Sequence, residues 1–288
     1  MPFLIRPARH ADFDYIHELA TSLSANGFLT LPSENRELEA LITLSEKSFG
    51  GKLANDNTQA QGAQYLFALE DLKSRRVIGC SLIIARHGTA TSPHLYFQLN
   101  DEKQTMTFTA EETGRTELGG LILDTSYRGH KAKLGKALSL IRFVYLKRNP
   151  GKFCEDLVAE LLPRFSPDGK SLFWESLGRR LTSMGYREAD QKARRDKRFF
   201  MNLFPRGPIA LAALSPEAQA ALGQAGPETE PVVKILTSVG FHYLHQIDPF
   251  DGGPHYGAKQ SEIRFDVIDR FFEEQEEDRE IRWTLSLL

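Results

Sequence analysis

Between Glu117 and Gly135 the chain reads ELGGLILDTSYRGHKAKLG, a set of residue types suited to holding a pyrophosphate. The apolar run Leu118–Leu123 predicts a strand, and Tyr127-Arg128-Gly129 makes a basic, glycine-bearing turn. A helical pattern then runs from Lys136 to Tyr145. The N–H groups that open a helix have no partner inside it, and the helix dipole places partial positive charge there. Glycine lets the backbone come close to a ligand. Lys133 and Lys136 flank this loop and are candidate phosphate contacts. A plain strand–turn–helix produces the same pattern, so the motif alone leaves both readings open.

Elsewhere the residues argue against other chemistries. The 8 histidines are scattered, with no HExxH arrangement, so no metal site is expected. His242 and His245 are three apart on an expected strand, which points them to opposite faces. No serine sits in a nucleophile elbow. Cys80 and Cys154 lack metal-ligand spacing and read as buried free thiols in a reducing compartment. The run KARRDKR, Lys192–Arg198, reads as a solvated helix face, because it lacks interleaved aromatics. A formal net charge of −2 gives no basic field for nucleic acid. Arg6 and Arg9 interrupt the first apolar residues too soon for a signal peptide, and no apolar run is long enough for a membrane span. A cytoplasmic protein with no membrane association is expected.

The elements that must position this chemistry follow from periodicity. Of 288 residues, 41% are hydrophobic, enough for one large core or two smaller ones. Phe3–Arg6 predicts a strand ended by Pro7, and Asp12 caps a helix with Phe13, Ile16, Leu19, Ala20 and Leu23 on one face. A turn at Asn26-Gly27, a helix over Asn35–Lys47 and a loop over Phe49–Gly62 follow. Tyr65–Asp71 and Val77–Arg86 predict a hairpin, and Leu95–Leu99 with Thr105–Thr109 a second pair. The order to this point is β-α-α-β-β-β-β-β-α. Helices are expected over Phe153–Leu162, Phe173–Met184, Tyr186–Arg195, Pro216–Leu222 and Glu230–Val239, and strands over Pro208–Leu211 and Phe241–Ile247. Asp251-Gly252-Gly253-Pro254 reads as a tight turn. Phe271–Glu280 is acidic and reads as a solvated helix or a loose end. The fold class is therefore α/β (α+β): a mixed, mostly antiparallel sheet flanked by helices. Residues 1–150 form one lobe, 151–260 a second that completes the fold and holds the acceptor site, and 261–288 the tail.

The strand, basic turn and helix resemble the coenzyme A-binding core of the GCN5-related N-acyltransferases, with Arg128, Gly129 and Gly135 as the matching members of a stretched loop. Four longer blocks carry a more specific resemblance: ELGGLILDTSYRG with LGKALSLIRF, VAELLPRFSPDGKSLFWESLGRRLTSMGYREAD, FFMNLFPRGPI, and SPEAQAALGQAGPETEPVVKILTSVGFHYLHQIDPFDGGP. In order and spacing, from Ile5 to about Pro254, they resemble the arginine N-succinyltransferase family. The resemblance implies an acyl-CoA N-acyltransferase fold and transfer of succinyl from succinyl-CoA to the α-amine of arginine. It implies an acyl-CoA co-substrate with no tightly bound cofactor, and a homodimer or a hetero-oligomer with a paralogue. The family's succinyl-CoA-contacting leucine falls on Leu121. Leu121, Leu123, Arg128, Gly129, Gly135 and Lys136 are then the expected carrier contacts.

Acceptor chemistry follows from the same resemblance. A guanidinium calls for carboxylates, and Asp248 and Asp251 are the candidates, with turn capping as the alternative. Arg179 and Arg180 are candidates for the succinyl carboxylate, against a solvated helix face. The chain departs from the family at one telling place. The family motif Gly-Gln-Val-His-Pro carries a histidine regarded as the proton donor, and here the stretch reads Gly223-Gln224-Ala225-Gly226-Pro227. Gly226 has no acid–base group. His255, directly after the turn, is the candidate substitute, with Glu228 as a second; the alternatives are a surface loop histidine and a solvated carboxylate. Two rival functions remain: an acyltransferase for another acyl group or amine, and a non-catalytic coenzyme A-binding partner of an active paralogue.

Overall fold

The computed structural model describes residues 2–23, 31–51, 62–90, 92–195, 200–277 and 281–283. In chain order its strands are β1 (Phe3–Pro7), β2 (Gln64–Asp71), β3 (Arg76–His87), β4 (His94–Asn100), β5 (Thr105–Glu111), β6 (Arg115–Leu123), β7 (Asp156–Glu160), β8 (Ile209–Ala210), β9 (His242–Ile247), β10 (Pro254–Lys259) and β11 (Ile281–Trp283). Among the described residues these form one sheet, ordered β11-β1-β2-β3-β6-β7-β10-β9-β4-β5-β8. The pairing is antiparallel except for β1 with β11 and β6 with β7.

Helices cover both faces of the N-terminal half, which is why β2 and β3 are buried along almost their whole length. On one face lie α1 (Phe13–Leu23) and α2 (Asn35–Phe49). Their Ile16, Leu19, Leu38 and Ile42 pack on Leu66, Cys80 and Leu82. On the other face lies α3 (Leu134–Arg148), with Leu138, Ile141 and Tyr145 in the main core. The distal half is held by a third cluster around Phe97, Trp174, Phe200 and Phe204. It carries α4 (Leu172–Ser176), α5 (Gly178–Thr182), α6 (Tyr186–Arg195) and α7 (Pro216–Ala221). Two further helices, α8 (Glu230–Ser238) and α9 (Phe265–Glu277), close the main core.

The element order up to α3 is the expected one, and three readings change. Phe153–Leu162 is not a helix: Asp156–Glu160 forms β7, between β6 and β10. The spacing of Leu157, Val158 and Leu161 fits a helix face, but a strand covered on both faces also gives an unbroken apolar run. Phe173–Met184 is two short helices, broken at Leu177, with Leu181 exposed. The acidic segment does not hang free. Ile268, Phe271 and Phe272 on α9 are buried in the main core, and β11 adds a parallel strand beside β1. Asn26-Gly27, most of the Phe49–Gly62 loop and the end of the Lys192–Arg198 run, from Asp196, lie outside the described residues. Also, the β4–β5 hairpin leaves its sequence neighbours β3 and β6 and pairs with β9, so residues 94–111 belong to the distal half.

Two irregularities of β6 position the site. Opposite Ser81 of β3 stand both Gly120 and Leu121, because Cys80 pairs with Ile122 and Leu82 with Gly119. This is a β-bulge, and Gly120 takes a φ of 57° within it. On its other side β6 pairs with β7 only at Thr116–Leu157 and Glu117–Val158. Beyond that point the two strands separate. A Cβ on Gly120 would stand 2.9 Å from the Leu82 Cβ. Gly120→Ala should therefore cost at least the ~1–2 kcal/mol of a left-handed non-glycine residue, read from urea unfolding. Gly135→Ala, whose Cβ would meet Leu123 at an ordinary 3.7 Å, should be neutral or slightly stabilising. Equal losses in the two variants would refute the bulge argument.

Candidate active site

The separation of β6 and β7 opens a cavity of about 330 Å³. One wall is the β6 backbone at Glu117–Leu121, and the opposite wall is Glu160–Leu162 at the end of β7. Arg142 of α3 reaches it from the core, and α6 contributes Tyr186 and Asp190. The turn after β9 supplies Asp248 and Asp251, and the end of β3 and start of β4 supply His87 and His94. Five carboxylates (Glu117, Glu160, Asp190, Asp248 and Asp251) thus line one small space with a single arginine. That field favours a cationic occupant.

The groups are held firmly. His87 Nδ1 lies 2.9 Å from Glu117 Oε2, and its Nε2 lies 3.6 Å from Glu160 Oε1. His94 Nε2 stands 3.0 Å from the same Glu160 oxygen, yet outside hydrogen-bond geometry. His255 on β10 pairs in register with Glu160 and stacks on His94, with ring centroids 5.2 Å apart. It is 0% exposed, and neither ring nitrogen has a protein hydrogen-bond partner. Burial, offset in part by Glu160, pushes its pKa down to about 3, and burial lowers that of His94 well below the usual range. Both imidazoles are therefore neutral at neutral pH. Asp248 is drawn up to about 7, first by burial and then by Glu160. Asp251 is raised well above its ordinary value by burial and by Asp248. Arg142 falls to about 9 through burial, and donates to the carbonyls of Ser139 at 3.0 Å and Gly119 at 3.2 Å.

The expected residues divide sharply by position. Leu121 lines the cavity, while Leu123 packs against the core beside Gly135. Gly135 and Lys136 lie in the first turn of α3, behind Lys133 in a left-handed conformation with φ 51°. Helix bonding starts with Ala137 N–H donating to the Lys133 carbonyl at 3.0 Å, so the preceding N–H groups have no intrahelical acceptor. Gly129 has φ 71° and open space around it. Arg128 is 45% exposed and donates to Glu228 at 2.6 Å, which accounts for both residues in the unliganded turn. The Lys136 ammonium lies over the Phe271 ring at 5.0 Å. Asp248 and Asp251 both lie on the turn after β9. They line the cavity, and they also cap the turn: Asp248 Oδ1 accepts from Phe250 N at 2.7 Å and Asp251 N at 2.9 Å, and Asp251 Oδ1 from Gly253 N at 2.7 Å. Arg179 and Arg180 are exposed on α5 and away from the cavity lining, with Arg179 bonded to Glu175 at 3.0 Å. His255 is no surface loop residue; it stands behind His94 in a buried strand.

His87, His94, Glu117, Glu160, Arg142 and Asp190 were not singled out by sequence reasoning. Arg142 leaves a trace, as a lone charge within the apolar helix sequence LSLIRFVYL. The histidines leave none, because they come from separate strands brought together by the β4 crossover.

The family model for the arginine N-succinyltransferase beta subunit matches residues 3–265. The chain belongs to the arginine N-succinyltransferase family. The subunit beta of this enzyme from Pseudomonas aeruginosa is 32% identical over 273 residues, covering 91% of this chain and 78% of its own. The arginine N-succinyltransferase of Salmonella paratyphi B is 35% identical over 268 residues, covering 87% and 74%. The solved structure of arginine/ornithine succinyltransferase subunit AI from P. aeruginosa superposes with a TM-score of 0.78 at 26% identity, covering 93% of this chain and 79% of that one.

Within this arginine N-succinyltransferase family member, position 226 has closed around its glycine. Gly226 N–H donates to the Leu162 carbonyl at 2.9 Å, and a Cβ there would fall 2.5 Å from the Pro163 carbonyl oxygen. A histidine would require the backbone at Pro163 to move.

The raised carboxyls make a pH prediction. Asp248 has a folded pKa of about 7 against 3.8 for an ordinary aspartate, so the folded state binds more protons than the unfolded state between those values. Its contribution is most favourable below the unfolded pKa and is lost as pH rises towards 7. Asp248→Asn keeps an acceptor oxygen for the turn. The stability of this variant relative to wild type should therefore increase from pH 4 to pH 7, by up to about 1.4 kcal/mol per pH unit. Urea unfolding at each pH measures this, and a difference independent of pH would contradict it.

Proposed function

We propose that this chain transfers the succinyl group of succinyl-CoA to the α-amine of arginine. The observation that carries the reading is a carboxylate-rich cavity set against the β6 edge freed from β7. Coenzyme A lies along that edge, with its pyrophosphate at the start of α3 and near Arg128, Gly129 and Gly135. The edge N–H groups near Leu121 receive the thioester oxygen, where negative charge develops. The succinyl carboxylate meets Arg142, which takes the role considered for Arg179 and Arg180. Asp248 and Asp251, ionised when a guanidinium arrives, hold the side chain of arginine. The α-ammonium gives a proton to the cluster of His87, His94, Glu117 and Glu160. The amine nitrogen then bonds to the thioester carbon, the C–S bond breaks, and the thiolate takes the second proton, which the nitrogen sheds on becoming an amide. His255 acts through His94, as a positioning residue.

The names of the P. aeruginosa relatives, subunit beta and subunit AI, support a working assembly with a second copy or a paralogue. Family membership supports a cytoplasmic site of action. Among the described residues no helix is long and apolar enough to cross a membrane. Gly226 favours one second reading, an acyltransferase for a different acyl group or amine.

The purified chain should release free thiol from succinyl-CoA only when arginine is present, with N-succinylarginine found by mass spectrometry. Acetyl-CoA, lacking the carboxylate for Arg142, should be poorer by about tenfold to hundredfold in kcat/KM. Asp251→Asn should raise the KM for arginine by a similar factor. His255→Gln should lower turnover by less than the ~10²–10⁴-fold that follows loss of a direct proton-transfer group; unchanged turnover would leave His255 no part. Turnover with another amine or acyl group, but none with arginine and succinyl-CoA, would transfer the assignment to the second reading. Binding of coenzyme A with no turnover at all would make the chain a non-catalytic partner.

A further inference from the structure

We infer that His87, His94 and Glu160 form a binding site for a divalent transition-metal ion of the zinc class, open to the cavity. The inference stands on the geometry of these side chains and does not require that arginine be the acceptor.

The ligand atoms of the three residues all lie within 4.8 Å of one another. The distances to Glu160 Oε1, 3.0 Å from His94 Nε2 and 3.6 Å from His87 Nε2, bracket the edge of a tetrahedron. With metal–ligand bonds of about 2.0–2.1 Å that edge is ~3.3 Å. The orientation of His87 matches a metal ligand. Its Nδ1 faces Glu117 at 2.9 Å, which leaves Nε2 turned to the shared point. A carboxylate behind a ligating imidazole is the usual outer support of such sites.

His94 supplies the second, independent observation. It is 1% exposed, and both of its ring nitrogens lack a hydrogen-bond partner in the protein. A buried polar group left so is costly, and calls for a partner. Burial also keeps this imidazole neutral, the form that ligates. An arginine side chain in the cavity would satisfy carboxylates, but it does not require two imidazole nitrogens converging with one carboxylate oxygen. Two imidazoles and a carboxylate suit zinc, cobalt or iron(II) better than magnesium or calcium. All three residues line the cavity, so the remaining coordination positions face the substrate space. An ion held there would supply a bound water of lowered pKa as the proton acceptor of this cluster, in place of the imidazoles that ligate the ion.

The test is titration of Zn²⁺ alone into the untagged, chelator-treated full chain, followed by calorimetry, with Co²⁺ substitution read by visible spectroscopy. One ion per chain is expected, with Co²⁺ bands typical of tetrahedral nitrogen and oxygen ligands. His94→Gln and Glu160→Gln should each abolish those bands, and Glu117→Gln should weaken binding by about 10–100-fold. His87, 18% exposed at its side chain, gives a variant less prone to misfolding, and His87→Gln should lose the ion while keeping its melting temperature in chelator. Substoichiometric binding by wild type, or binding unaltered in both His87→Gln and His94→Gln, would overturn the site. Arginine-dependent thiol release by a chain that binds no metal would remove this inference and leave the acyl-transfer reading intact. A bound ion without acyl transfer would do the reverse.

Discussion

Parallel pairing of β6 and β7 stops after two residue pairs, and the site depends on that interruption. A sheet normally gains from continuing its ladder, since each unpaired buried N–H or carbonyl is costly. Here the ladder cannot continue, because the bulge at Gly120 and Leu121 turns β6 away while it still holds β3 on its other side. The backbone of a central strand is thereby left available inside the molecule. Arg142 answers part of the cost by donating to the Gly119 carbonyl at 3.2 Å. A guanidinium from α3 so stabilises the irregular strand and presents positive charge beside the opening.

The same opening concentrates groups that a core otherwise avoids. Neutral histidines, raised carboxyls and an arginine with lowered pKa are each displaced by burial as the leading cause. A sequence selected only for stability would replace this cluster with apolar side chains. Its support is instead assigned to surrounding rigid parts. The Asp248 turn is closed by its own backbone bonds, and the distal aromatic cluster around Trp174 and Phe97 backs the acidic wall. The crossover of β4 and β5 carries His94 to the mouth of β7.

One part of the fold was legible in the chain because its pattern is local. A strand, a basic turn and a helix start follow one another within residues 117–136, and the structure keeps that order. The acidic turn was legible for the same reason. The histidine cluster was not, since His87, His94 and His255 converge only through strand order, and no spacing rule encodes that. The helix expected over Phe153–Leu162 failed at the point that matters most. Its apolar residues satisfy a strand buried on two faces as well as they satisfy a helix, and only the neighbours β6 and β10 decide between them. Glu160, at the end of that strand, was missed along with it.

Gly226 joins these observations. The glycine is not merely a histidine that lost its ring, because the Pro163 carbonyl occupies the space that a Cβ would need. The bridge between Pro163 and Ala225 ties this closed segment to the end of the β7 wall. Glu160 ends β7 itself, and the stacked pair His94 and His255 stands beside it. His94 and His255 are buried there, and burial is the leading cause of their lowered pKa values. Acid–base work at such a site depends on what enters the cavity, because an arriving cation or carboxylate changes the field felt by every group there.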